Sequence, residues 1–162
     1  MKLIRHGTPI LISVGLSLGL GFVAGQITRG GIEPWYTALE KPPLTPPNWL
    51  FAPVWTMLYL LMGIAAARVW NYGKHHRWGQ TALFHYGLQL TLNILWTLVF
   101  FYLQQPFWGL LVIGALWIFI ERTLKWFRTV DRWASWMMVP YLIWVSFAAY
   151  LNLGIWWLNP VS

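Results

Sequence analysis

WGQTALFHYGLQLTLNILWTLVFFYLQQPFWGLLVIGALWIFI, residues Trp78–Ile120, contains no Asp, Glu, Lys or Arg. As one helix it would be about 65 Å long, roughly twice the thickness of bilayer hydrocarbon, which about 20 apolar residues suffice to cross. The stretch must therefore turn back on itself. Gln104-Gln105-Pro106 supplies the break, with Pro106 in the first turn of the second half, where its missing N–H is harmless. Two membrane helices follow, at about 80–103 and 106–127.

Working outward, charged residues cut the rest of the chain into similar lengths. Between Arg5 and Arg29 there is room for one helix, about 8–26. Lys2 and Arg5 before it could form the basic region of a signal peptide, but its length and the lack of an A-x-A site predict a retained helix. The uncharged stretch Pro42–Ala67 opens with PPLTPPNW, which successive prolines keep from being helical, so the second helix is expected at about 48–69. After Arg132 no charged side chain recurs, leaving a fifth helix at about 134–157 with Trp156 and Trp157 at its interfacial end. The expected fold is all-α: one membrane domain over residues 1–162, a five-helix transmembrane bundle with a long Pro-rich outer loop, about Ile27–Pro47, between helices one and two.

Composition agrees. Of the 162 residues 58% are hydrophobic and 9% charged, against about 25% charged in soluble domains. The net charge of +7 does not point to nucleic acid, because the cations do not gather on one soluble face. Lys2, Arg5, Arg68, Lys74, Arg77, Arg122, Lys125, Arg128 and Arg132 fall at one end of the helices, and only Arg29 and Lys41 at the other. The positive-inside rule then places the N-terminus in the cytoplasm and the C-terminus outside, as expected for a bacterial cytoplasmic membrane. With no Cys in the chain, disulfides, thiolate nucleophiles and Cys-ligated metals are excluded.

Several side chains invite a functional reading. Gln89, Asn93, Trp96 and Phe100 share one face of helix three, mixing aromatic surface with two amides. Trp144, Phe147, Ala148 and Leu151 form a stripe on helix five, where the small Ala148 leaves room either for a ligand or for a neighbouring helix. Asn152 reads chiefly as hydrogen-bonding glue between helices, whereas Asn93, on an aromatic face, reads equally as glue and as a polar pocket group. Gly15 with Gly19, and Gly21 with Gly25, read as close-packing pairs. Pro53 and Pro140 can kink their helices and widen a cavity. Trp70, Trp78, Trp126, Trp133 and Trp136 flank the basic residues as belt anchors. Of the four carboxylates, Glu33 and Glu40 lie in the outer loop and Glu121 and Asp131 near the cytoplasmic surface, so no acid pair within the spans serves hydrolysis or proton coupling. His85 reads as an interfacial hydrogen-bonder rather than a haem ligand, and no metal site is expected.

WYTALEKPPLTPPNWLFAPVWTMLYLLMG, residues Trp35–Gly63, resembles the first loop and second helix of the TspO and peripheral-type benzodiazepine receptor family, the translocator proteins. QLTLNILWTLVFF (Gln89–Phe101) and VPYLIWVSFAAYLNLGIW (Val139–Trp156) continue the match. The resemblance implies a five-helix bundle, commonly a homodimer, with a pocket beneath the first loop. It also implies binding of porphyrins and, in various members, of cholesterol and of benzodiazepine-type or isoquinoline carboxamide ligands. By motif position the pocket residues are Tyr36 in the loop; Phe51, Trp55 and Tyr59 on helix two; Asn93, Trp96 and Phe100 on helix three; and Trp144, Phe147, Ala148 and Leu151 on helix five. Animal members carry a Tyr and then an Arg after the Leu-Asn pair of helix five. Here Leu151-Asn152 is followed by Leu153 with no cation downstream, so sterol binding is expected to be weak.

The leading function is thus a membrane receptor for tetrapyrroles, protoporphyrin IX or haem-like rings, that contributes to regulating their metabolism. Porphyrin or haem enters as ligand and no cofactor is required. Light-dependent oxidative degradation of porphyrin is an alternative that needs no general acid or base, with Trp55 and Trp144 as its candidates and no other catalytic residue assigned. Transmembrane transport of tetrapyrroles is a third, although no inverted repeat and no charged residue within a span supports it.

Overall fold

The computed structural model describes the backbone of residues 2–160 and the side chains of residues 7–160. Lys2 and Arg5, assigned above to the basic end, have side chains outside the described residues. The bundle consists of α1 (Lys2–Gly31), α2 (Phe51–Gly73), α3 (Arg77–Thr97), α4 (Pro106–Val130) and α5 (Arg132–Leu158). All five are long and apolar enough to cross a membrane.

Each break has a local cause. After α3 the helix widens over Leu98–Tyr102, where Leu103 N–H bonds Leu98 O at 2.8 Å. Gln104 then adopts a left-handed φ of 55° and Pro106 opens α4. The α2–α3 turn depends on Gly79, because an added Cβ would lie 2.0 Å from the Gly73 carbonyl oxygen. Between α4 and α5 the turn is Asp131, whose carboxylate accepts from Trp133 N–H at 3.1 Å as the α5 cap. The same carboxylate pairs with Arg68 of α2, so one acidic side chain holds two helices and a turn.

The helix ends depart from those expected from charge spacing. α1 reaches from Lys2 to Gly31 rather than 8–26, and α4 ends at Val130 rather than 127. α5 begins at Arg132, α2 runs on to Gly73, and α3 starts at Arg77. Charges mark where hydrocarbon ends, and long basic side chains let the helical backbone continue into the interface. The Pro-rich connection is correspondingly shorter than 27–47. A wide helical turn, Ile32–Tyr36, broken at extended Glu33, follows α1, and the non-helical segment is about 39–47.

α2 is central, packing on α1, α3 and α5, while α4 joins α3 to α5. Its Met62, Ala65, Ala67 and Val69 are fully buried. Close approach rests on small residues: a Cβ on Gly63 would sit 2.7 Å from Val14 Cα of α1, and one on Gly21 would sit 2.5 Å from the Tyr59 ring. Gly15, Gly19 and Gly25 meet nothing within 4 Å, so of the glycines expected to pack α1 only Gly21 does so among the described residues. Elsewhere on α1, Leu11 and Leu16 are exposed and face lipid.

Candidate functional site

Phe51, Trp55 and Tyr59 recur every fourth residue on α2, so they stack along one face toward the loop end. Trp55 is the hub. Its ring centroid lies 5.8 Å from Tyr59, 6.4 Å from Trp96, 6.2 Å from Tyr141 and 6.5 Å from Trp144. Tyr36, delivered by the turn after α1, packs edge-on against Phe51 at 6.2 Å. Trp96 stacks on Phe100 at 5.6 Å. Such offset and edge-to-face pairs fill space efficiently and hold one another in place.

Behind the rings α3 carries a polar spine. The Tyr86 and Ser17 hydroxyls share a hydrogen bond at 2.7 Å, reaching α1. Tyr59 Oη donates to Asn93 Oδ1 at 2.6 Å, and Asn93 Nδ2 donates to Tyr141 Oη at 2.8 Å, reaching α2 and α5. Trp96 Nε1 donates to Asn152 Oδ1 at 3.1 Å, and Asn152 Nδ2 donates to the Pro106 carbonyl at 2.7 Å, reaching α4. Both asparagines therefore act as glue between helices, and Asn93 also lines the cleft described next. Buried amides bonded at both ends specify which helix faces meet.

The space among α2, α3 and α5 expected to form the pocket is almost filled by these rings. A void of about 30 Å³ remains, bordered by Tyr36, Phe100, Trp144, Ala148 and Leu151. The roomy space lies instead between α1, α2 and α3. This cleft holds about 440 Å³, with Gly21, Gly25 and Arg29 on its α1 side and Tyr59, Asn93 and Thr97 opposite. Phe51, Trp55 and Trp96 border both spaces. Of the residues carried over by motif, all but Phe147 line one space or the other. Phe147 touches Trp144 at 5.8 Å but stacks on Tyr150 at 6.1 Å.

Two donors on the void have no partner among the described residues: Tyr36 Oη and Trp144 Nε1 are buried and make no hydrogen bond. Buried N–H and O–H groups normally find an acceptor, so these mark a place short of one. The 39–47 segment is latched to the end of α5, whose Ile155 borders the void. Asn159 Oδ1 accepts from Glu40 N–H at 3.1 Å, its Nδ2 donates to Glu40 O at 2.9 Å, and Tyr150 Oη donates to Pro43 O at 2.9 Å. At the opposite end His85 sits between Phe119 and Trp126, with Nδ1 2.8 Å from Thr81 O.

Sequence reasoning missed the α1 wall. Gly21, Gly25 and Arg29 recur every fourth residue and share a face, a signal open to the cleft reading but equally to the packing one.

A model of the TspO/MBR family matches residues 13–158. The chain is 43% identical over 151 residues to the tryptophan-rich protein TspO of Chlorobaculum tepidum, covering 93% of this chain and 96% of that protein. It is 42% identical over 126 residues to protein CrtK of Rhodobacter capsulatus, covering 78% and 79%. To the translocator protein of Bos taurus it is 36% identical over 146 residues, covering 90% and 86%. With five membrane-length helices and a match spanning nearly all of them, this integral multi-pass membrane protein belongs to the TspO/MBR family.

Proposed function

We propose that this chain is a membrane receptor for flat tetrapyrroles, protoporphyrin IX or haem-like rings, and for other rigid apolar ligands, and that this binding contributes to the regulation of tetrapyrrole metabolism. The observation that carries the reading is the shared wall. Phe51, Trp55 and Trp96 border both the 440 Å³ cleft and the 30 Å³ void, so a shift of these rings would join the two into one aromatic slot. The cleft alone falls within the range of about 300–1,000 Å³ usual for small-molecule sites. A ligand acceptor reaching Tyr36 Oη and Trp144 Nε1 would make hydrogen bonds that the free protein leaves unmade. Membership of the TspO/MBR family supports the tetrapyrrole class, which the resemblance implies for its members.

The same reading puts the end bearing Arg68, Lys74, Arg77, Arg122, Lys125, Arg128 and Arg132 in the cytoplasm, since only Arg29 and Lys41 occupy the other end. The cleft then opens in the outer half of the bilayer. Titrating purified protein with protoporphyrin IX should quench Trp fluorescence saturably, and Trp55→Ala and Trp96→Ala should each weaken binding about tenfold or more. Unsaturable quenching, or unaltered affinity in both variants, overturns the reading.

Light-dependent oxidation of the bound porphyrin by oxygen is a second reading, favoured by the 6.5 Å spacing of Trp55 and Trp144 at the wall. A new product spectrum under illumination, lost in Trp144→Phe while binding persists, would support it. Equal bleaching of porphyrin beside an unrelated protein removes it.

A further inference from the structure

The cleft is not uniform along its length. Leu18, Phe22 and the Trp55 ring line its deep part, whereas Gln26, Thr28 and Asn48 gather toward the loop end. Along α1 the rise from Leu18 to Arg29 is about 16 Å, so the lining passes from mid-membrane apolar surface to the water boundary. Arg29 stands at the mouth, exposed, in the last turn of α1.

Two cations occupy this end of the bundle, and they differ in what they do. Lys41 is committed to the loop: its Nζ donates to Thr37 O at 3.1 Å and Leu39 O at 3.0 Å and lies 5.0 Å from the centre of the Tyr36 ring. Arg29 takes part in no ion pair among the described residues, although Glu33 and Glu40 are near it in sequence. A guanidinium at the rim of an aromatic cleft presents a planar fork of donors that matches a carboxylate.

We infer that Arg29 is the charge partner for a carboxylate on the ligand, so that the cleft selects amphiphiles with a flat apolar body and an acid group at one edge. The inference rests on the receptor reading above and adds a chemical requirement to it. The body lies against Trp55 and Trp96, and the acid stays at the water boundary, where its desolvation cost is small. Arg29 also complements the C-terminal dipole of α1, a role that affects every ligand alike.

Protoporphyrin IX carries two propionates and its dimethyl ester carries none, so the pair isolates the charge. The full chain in phosphatidylcholine nanodiscs, which supply no anionic headgroup to compete, is titrated with both forms by Trp quenching. The diacid is expected to bind about tenfold more tightly than the diester. Arg29→Gln should remove that advantage without changing the diester affinity, and Arg29→Lys should restore part of it. Saturable binding in which diacid and diester bind equally to the unmodified protein, or in which Arg29→Gln weakens both by the same factor, overturns the inference and leaves the receptor reading standing. No saturable binding of either form overturns both.

Discussion

The Tyr59 hydroxyl donates to Asn93 Oδ1 at 2.6 Å while the other end of the same amide donates to Tyr141 at 2.8 Å. One side chain on α3 thus ties α2 to α5 immediately behind the cleft. Hydrogen bonds between membrane helices contribute about 0.6 kcal/mol on average and up to about 1.7, but removing the shared partner orphans two buried hydroxyls at once. Asn93→Leu is therefore expected to cost about 2 kcal/mol in an SDS-unfolding equilibrium and Tyr59→Phe about 1 kcal/mol. The double variant should lose less than the sum, and strict additivity would show that the two groups are not coupled.

Gly21 and Gly25 are four residues apart on α1 and should respond in opposite ways. A Cβ at Gly21 would meet the Tyr59 ring at 2.5 Å, whereas at Gly25 nothing lies within 4 Å. Gly21→Ala is expected to destabilise by about 1–3 kcal/mol through overpacking. Gly25→Leu should leave stability unchanged or raise it by about 0.7 kcal/mol through helix propensity, while its side chain fills the cleft and abolishes porphyrin quenching. Retained binding in Gly25→Leu would move the ligand out of the cleft.

This contrast also explains what was legible beforehand. The helix count follows from Trp78–Ile120, because a charge inside hydrocarbon is so costly that uncharged lengths translate directly into crossings. The rings of α2, α3 and α5 announce their faces by size and spacing. A glycine has no side chain to report whether another helix or empty space lies beside it, so the α1 wall was hidden. Phe147 illustrates a different limit: three residues past Trp144 it is about 60° around the helix, far enough for its ring to settle on Tyr150 instead of lining either space.

Tyr36→Phe tests the shortage of acceptors at the void. The Tyr36 hydroxyl is buried without a partner, so deleting it removes an unmet desolvation cost and keeps the ring against Phe51 and Phe101. The unliganded protein should be as stable as before or more stable by about 1 kcal/mol, the reverse of the usual result for a buried hydroxyl. A carboxamide or other acceptor-bearing ligand should bind about tenfold more weakly. Lower stability in the free protein, measured by thermal unfolding in detergent, would mean that the hydroxyl is already satisfied.

The latch between the 39–47 segment and α5 is the remaining test. Pro42 packs so closely on α5 that a Cβ at Gly154 would lie 2.5 Å from its ring, and Asn159 clasps the Glu40 backbone through both ends of its amide. Gly154→Ala must push Pro42 outward, because proline cannot rotate away as a flexible side chain would. Asn159→Ala removes the clasp without any steric demand. Both variants should raise hydrogen exchange of residues 39–47 by about tenfold, as expected for losing contacts of about 1.4 kcal/mol. Exchange across α2 and α4 should stay unchanged. If the segment gates the void, porphyrin should dissociate faster in both variants while its association rate changes less. Faster exchange with an unaltered dissociation rate would make the segment a structural cap and would direct ligand entry to the α1–α2 side of the bundle.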